Sequence, residues 1–191
     1  MGSFCILVLI LLLYIVVRNN QEKAELVRSV QHDALTGVYN RENTQKMIDA
    51  ILREKAPEGF HGFLILDMDH FKEVNDVYGH VMGDNVLRML GGFLKEQFRE
   101  QDVIGRIGGD EFVILLCNIG SRENMESRIK NLHENLREIR MEGMGEHTFT
   151  FSAGIAFAPQ DGDTFMELYQ KADLALYQVK RSGRNGYRIY K

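Results

Sequence analysis

The chain has 191 residues, 26% charged and 45% hydrophobic, with a formal net charge of −4. That length favours one domain with a modest appendage, large enough to bury its own core, and excludes neither an anchor nor a short stalk. The composition excludes disordered and collagenous chains; the acidic balance argues against a non-specific nucleic-acid binder; two cysteines without a CxxC exclude a disulfide framework and that kind of zinc site.

The first element is apolar. Phe4 to Val17 read FCILVLILLLYIVV, and the first 17 residues carry no charged side chain. That is the lower edge of the roughly 17–25 residues that cross a bilayer. No basic residue precedes the run and no small-residue cleavage site follows it, unlike a signal peptide. Residues 1–17 are therefore read as a membrane-anchor helix. Arg18, Lys23 and Arg28 follow it, so the positive-inside rule places the rest of a single-pass chain in the cytoplasm. Residues 18–31 read as a polar helical stalk, either a solvated connection or a dimerising segment; two turns of spacing leave both open. Residues 32–191 form the globular part.

From there the periodicity alternates. Arg41–Lys55 carry a helical stripe of Met47, Ile48, Ile51 and Leu52, and Phe60–Leu66 form an apolar run of strand length. His80–Arg99 place Val86, Leu87, Leu90, Phe93 and Leu94 at helical spacing. Val103–Ile107 and Phe112–Leu116 are two short strands around a Gly-Gly-Asp-Glu turn, a hairpin. Ser121–Met141 read as an amphipathic helix with Ser121 as N-cap, and Thr148–Phe157 as a strand. Asp163 or Thr164 caps a helix that runs to Arg181 and stops at Gly183, and Tyr187–Tyr190 close the chain as a short strand. The order αβαββαβαβ, with a hairpin inside it, implies an α+β fold: an antiparallel or mixed sheet flanked by helices rather than a Rossmann sheet.

The chemistry-bearing residues are mostly acids. Asp67 and Asp69 end the Phe60 strand, and period-two geometry sets both carboxylates on one side of its tip, where Mg²⁺ would find hard oxygen ligands; a solvated turn is the alternative. Gly108-Gly109-Asp110-Glu111 set two more acids on a tight turn whose glycines let a large ligand approach the backbone. If Asp110 faces Asp67 across the sheet, the pair can hold the metals of a phosphoryl displacement. No P-loop, Ser-His-Asp arrangement or histidine ligand spacing is present.

These residues bear a family likeness. RIGGDEF (Arg106–Phe112) resembles the signature of the GGDEF diguanylate cyclases, with Asp at the third position where Glu also occurs. DALTGVYNR (Asp33–Arg41), LDMDHFKEVNDVYGHVMGD (Leu66–Asp84) and KRSGRN (Lys180–Asn185) resemble the family's opening, metal-and-guanine and closing segments. Four motifs in the right order, from His32 to the end, are far more specific than one. The resemblance implies the nucleotide-cyclase type of α/β sandwich, with a mainly antiparallel central sheet. It implies condensation of two GTP into cyclic di-GMP with release of pyrophosphate, assisted by Mg²⁺ or Mn²⁺. One half-site per chain further implies a homodimer, and the family setting makes the membrane a bacterial inner membrane.

Carried over position by position, Asp67, Asp110 and the Met68 carbonyl resemble the metal ligands. Asp110 or Glu111 resembles the acceptor of the 3′-hydroxyl proton. Asn75 and Asp84 resemble the guanine readers, with His80 beside them; a carboxylate accepts both the N1–H and N2–H₂ of guanine. Lys72 with the backbone N–H groups of His70 and Phe71 resembles a phosphate cradle, and Lys180 with Arg184 the triphosphate clamp. Arg99 and Asp102 match an RxxD product-inhibition site for cyclic di-GMP. The rival reading is a catalytically silent, membrane-anchored cyclic di-GMP receptor or scaffold. Retention of Asp67, Asp110, Glu111, Asn75 and Asp84 weighs against it.

Overall fold

The computed structural model describes residues 13–19, 30–54 and 60–191. Most of the anchor reading (residues 1–12) and of the stalk reading (residues 20–29) lies outside them. Residues 13–19 are helical, and Leu13 to Val17 are exposed. Among the described residues no helix is long and apolar enough to cross a membrane.

The globular part is a three-layer sandwich. Helix α1 (Arg41–Arg53) starts where the Asn40 side chain accepts the Asn43 amide at 3.1 Å. Strand β1 (His61–Met68) follows, then helices α2 (Phe71–Tyr78) and α3 (His80–Gln97). The hairpin is β2 (Val103–Gly108) and β3 (Glu111–Leu116). Helix α4 (Arg122–Arg137), strand β4 (Phe151–Ala158), helix α5 (Phe165–Arg181) and strand β5 (Gly186–Ile189) complete the order. Ser121 caps α4 and Thr164 caps α5, each accepting an amide three residues on.

The sheet runs β2-β3-β1-β4-β5. Every neighbouring pair is antiparallel except β4 and β5, which α5 joins as a parallel crossover. The expected α+β sandwich with a mainly antiparallel sheet is therefore the observed one. Period two divides the core. Leu64, Leu66, Phe112 and Ile114 face one apolar cluster with Val86, Leu90 and Leu94 of α3 and Ile129 and Leu132 of α4. Phe63, Ile65, Val113 and Leu115 face another with Ile48 of α1 and Phe165, Leu168, Ala172 and Leu176 of α5. Helix α5 lies so close to β4 that a Cβ on Gly154 would come within 1.9 Å of the Ala172 carbonyl oxygen. Glycine is thus what lets this helix seat.

One element departs from the expected order. Helix α2 has only 8 residues and buries only Val74, too little periodicity to separate it from the motif around it. His70, at φ 59°, and Gly79, at φ 83°, set it off from β1 and α3. β1 also runs two residues further than its apolar stretch, so Asp67 and Met68 are strand residues.

Candidate active site

Asp67 is the last inward residue of β1 on the α5 side. It lies opposite Glu111 of β3 and Ser152 of β4. Lys180, in the last turn of α5, reaches its Oδ2 at 2.7 Å; the two side chains are 16% and 35% exposed. The β2–β3 turn delivers Asp110 to the same place. Gly109 takes φ +53°, which the tight reversal requires, and a Cβ on Gly108 or Gly109 would meet open space. The Arg106 Nε holds the turn by donating to the Gly109 carbonyl at 2.8 Å. Its guanidinium also meets Asp33 at 3.1 Å, and Asp33 accepts the Thr36 amide and hydroxyl. The opening motif therefore buttresses the signature turn.

Electrostatics ties the two acids together. Burial pushes the Asp110 carboxyl above the usual carboxylate range, and the charge of Asp67 pushes it further, while Lys180 opposes both. Two carboxylates held this close favour a cation between them. Among the described residues no three His, Cys, Asp or Glu side chains form a metal cluster. The donor set here is two carboxylates, with Met68 in the same lining. That suits Mg²⁺, which usually takes one or two carboxylates and completes its shell with water and substrate phosphates.

Around these acids lies an open cleft of about 380 Å³ lined by Asp67, Met68, Asp69, His70, Phe71, Lys72, Glu73, Asp110, Lys180 and Arg184. The sequence-nominated metal, cradle and clamp residues thus converge. Phe71 and Lys72 open α2, where helix geometry leaves amides without intrahelical acceptors and favours an anion.

The other nominated residues fall outside that lining. Asn75 packs between α2 and α3, where a Cβ on Gly83 would come within 2.0 Å of its Oδ1. His80 and Asp84 are exposed on the first turns of α3. These three sit on the α2–α3 pair, beyond the cleft from which α2 starts. Glu111 accepts a 2.6 Å hydrogen bond from the Tyr169 hydroxyl of α5. Burial and that carboxylate push the Tyr169 phenol well above its usual value, which keeps it a donor.

Two acids are held by internal hydrogen bonds. Asp69 does not stand beside Asp67 as a second open carboxylate. β1 ends at Met68, the alternation ends with it, and Asp69 turns inward. It is 6% exposed and accepts from the Thr150 hydroxyl at 3.0 Å, the Ser152 hydroxyl at 2.6 Å and the Asn185 amide at 2.9 Å. Asp102 is also internal. Its carboxylate accepts the Arg99 amide and the Cys117 amide at 3.0 Å each, with Arg128 at 3.7 Å. Burial and this charge push the Cys117 thiol up to about 11. Arg99 is exposed, and both it and Asp102 line a second cleft of about 340 Å³ with His32, Tyr39, Lys95 and Phe98.

Tyr169 and the inward role of Asp69 were not apparent from the sequence. A tyrosine beside the apolar stripe of α5 reads as core edge, and its partner lies 58 residues away.

The family model for the GGDEF domain of diguanylate cyclases matches residues 30–186. The chain belongs to the GGDEF diguanylate cyclase family. It is 34% identical over 169 residues to the probable diguanylate cyclase DgcC of Escherichia coli K12, covering 86% of this chain and 44% of that protein. It thus spans less than half the length of that relative. The solved GGDEF domain of PA1120 (TpbB or YfiN) from Pseudomonas aeruginosa, truncated at its N-terminus, superposes with a TM-score of 0.79 at 33% identity, covering 84% of this chain and 94% of that one. A microbial GGDEF domain solved in a novel mode of interaction with cyclic di-GMP gives a TM-score of 0.71 at 30% identity, covering 86% and 98%.

Proposed function

We propose that this GGDEF chain is a diguanylate cyclase that condenses two GTP into cyclic di-GMP, releasing two pyrophosphates. The observation that carries the reading is the meeting of Asp67 and Asp110 beside Lys180, Lys72 and Arg184 in one cleft. Such a site pairs carboxylates for a divalent cation with cations for a triphosphate. Asp67, Asp110 and the Met68 carbonyl would hold Mg²⁺, which would supply charge neutralisation at the phosphates.

The chain's own residues do the rest. Lys72 and the α2 amides hold phosphate oxygens from one side, and Lys180 and Arg184 from the other. This fixes the α-phosphate for in-line attack by the 3′-hydroxyl of a second GTP. Asp110 or Glu111 takes the proton of that hydroxyl. Asn75 and Asp84, with His80, read guanine on the α2–α3 surface; hydrogen-bonding readers reject a base that lacks the matching donors. One GTP per chain requires a two-fold dimer. Arg99 and Asp102, which share a cleft, form the product-inhibition site, and Asp102 also holds the turn that presents Arg99. Residues 1–17 anchor the chain in a bacterial inner membrane, with the cyclase in the cytoplasm; deleting them releases the protein to the soluble fraction, and a product still in the membrane contradicts the anchor.

Purified protein with GTP and Mg²⁺, its products identified by mass, tests the activity. Cyclic di-GMP and pyrophosphate are expected. Binding of cyclic di-GMP without any GTP turnover supports the receptor reading instead.

A further inference from the structure

We infer that Asp69 is a positioning residue for the triphosphate clamp: its buried carboxylate fixes the turn after α5 and thereby sets Arg184 into the cleft. The inference rests on the reading of that cleft as the GTP site.

The turn needs something to hold it. Arg184 at φ 63° and Asn185 at φ 50° are successive non-glycine residues in the left-handed region. L residues visit that region singly and at a cost, so two in a row persist only where the surroundings over-determine them. Local bonds secure the near side: the Ser182 and Arg184 amides donate to the Val179 carbonyl at 3.0 and 3.1 Å. The far side is secured by Asp69, whose Oδ2 accepts the Asn185 amide at 2.9 Å across 116 residues of chain.

Asp69 is itself rigid. Its own amide donates to the Thr150 carbonyl at 3.0 Å, and the Thr150 and Ser152 hydroxyls donate to its carboxylate. Ser152 also pairs with Gly186 in the β4–β5 register, so one strand position grips both Asp69 and the residue after the turn. Three donors converge on two oxygens, which an ionised carboxylate satisfies. An amide keeps only one acceptor oxygen, and its NH₂ then faces a hydroxyl that must turn round to accept, so the network is weakened. The carboxylate thus serves the turn best, its oxygens taken up by these three donors.

A double-mutant cycle tests this: wild type, Asp69→Asn, Arg184→Ala and the double variant, each assayed for KM and kcat with GTP and Mg²⁺. Asp69→Asn raises KM ~tenfold with kcat within ~twofold, and the double variant is no worse than Arg184→Ala beyond ~twofold. Multiplying effects, or an unchanged KM in Asp69→Asn, overturn the inference. If Asp69→Asn does not fold, Ser152→Ala replaces it and the same rule applies. A readout independent of turnover is hydrogen exchange at the Asn185 amide. Protection in wild type that is lost in the Asp69 or Ser152 variant supports the inference; equal exchange overturns it. Absence of GTP turnover in wild type, with the Asn185 protection pattern as expected, rejects the reading of the cleft and leaves the anchoring role of Asp69 standing.

Discussion

The cleft at the tips of β1 and β3 and the turn at the start of β2 both carry motif acids, yet use them in opposite ways. Asp67 and Asp110 push against each other, with one lysine between them and open space above the turn. Asp102 is buried, accepts two amides and faces an arginine. A carboxylate whose lone pairs are filled by backbone N–H groups builds the fold. One crowded by another carboxylate has affinity left for a cation. Residue type does not separate the two; the donors around each acid do.

The largest expected effect breaks the cleft side of that contrast. Asp110→Ala lowers turnover by ~10³-fold or more, on the scale of losing a group that stabilises the transition state, while the unfolding midpoint holds. Full activity with Mg²⁺ contradicts the assignment. The next effect sharpens the β2 side. Asp102→Ala leaves buried amides without an acceptor and costs ~1–3 kcal/mol in denaturant unfolding. Arg99→Ala stays within ~0.5 kcal/mol, as an exposed change should, yet relieves product inhibition in the progress curve. Equal stability of the two variants contradicts the division between a structural acid and a ligand-facing arginine.

Glu111 lies between these cases, an acid next to the site with one strong protein donor. Tyr169→Phe keeps the ring stack on Phe165, at 5.7 Å between centroids, and removes only the hydroxyl. A hydrogen bond to a charged group is worth ~1.5–3 kcal/mol, so kcat falls ~tenfold or more; an unchanged kcat excludes Tyr169 from aligning Glu111.

The smallest effect concerns His133, which packs on Phe151 with centroids 3.9 Å apart. Burial holds its imidazole below the ordinary value, with the Gly186 carbonyl and Asp69 pulling it up and Arg137 pushing it down. Its folded-state value lies below the unfolded one. As pH falls below about 6.5, the unfolded chain therefore gains the proton first and stability declines. His133→Phe flattens the decline of the unfolding midpoint between about pH 7 and 5; an unchanged slope contradicts the burial.

Most of the fold was legible in the sequence because its signals are local. Short apolar and aromatic runs mark β1 and β4, caps mark α4 and α5, and paired glycines mark the hairpin. Helix α2 escaped because it buries a single residue. The cleft was legible where residues are close in the chain, as from Asp67 to Lys72. The meeting of Asp67 with Asp110 followed from the family likeness rather than from periodicity. Alternation places Asp69 beside Asp67, but the strand ends at Met68 and Asp69 leaves that pattern. Asp102 lines the Arg99 cleft as its motif suggests, but its hold on the Cys117 amide depends on how β2 and β3 pair and has no local signal. The partners of Glu111 and Asp69 come from α5 and the turn beyond it, and no local pattern announces them.

The central claim is that Asp67 and Asp110 jointly hold a divalent cation against a nucleotide. Electron paramagnetic resonance of Mn²⁺ with a GTP analogue carrying a methylene α–β bridge tests it in wild type, Asp67→Asn and Asp110→Asn. Protein-bound Mn²⁺ is expected in wild type and is lost in either variant. Undiminished binding in both variants contradicts it.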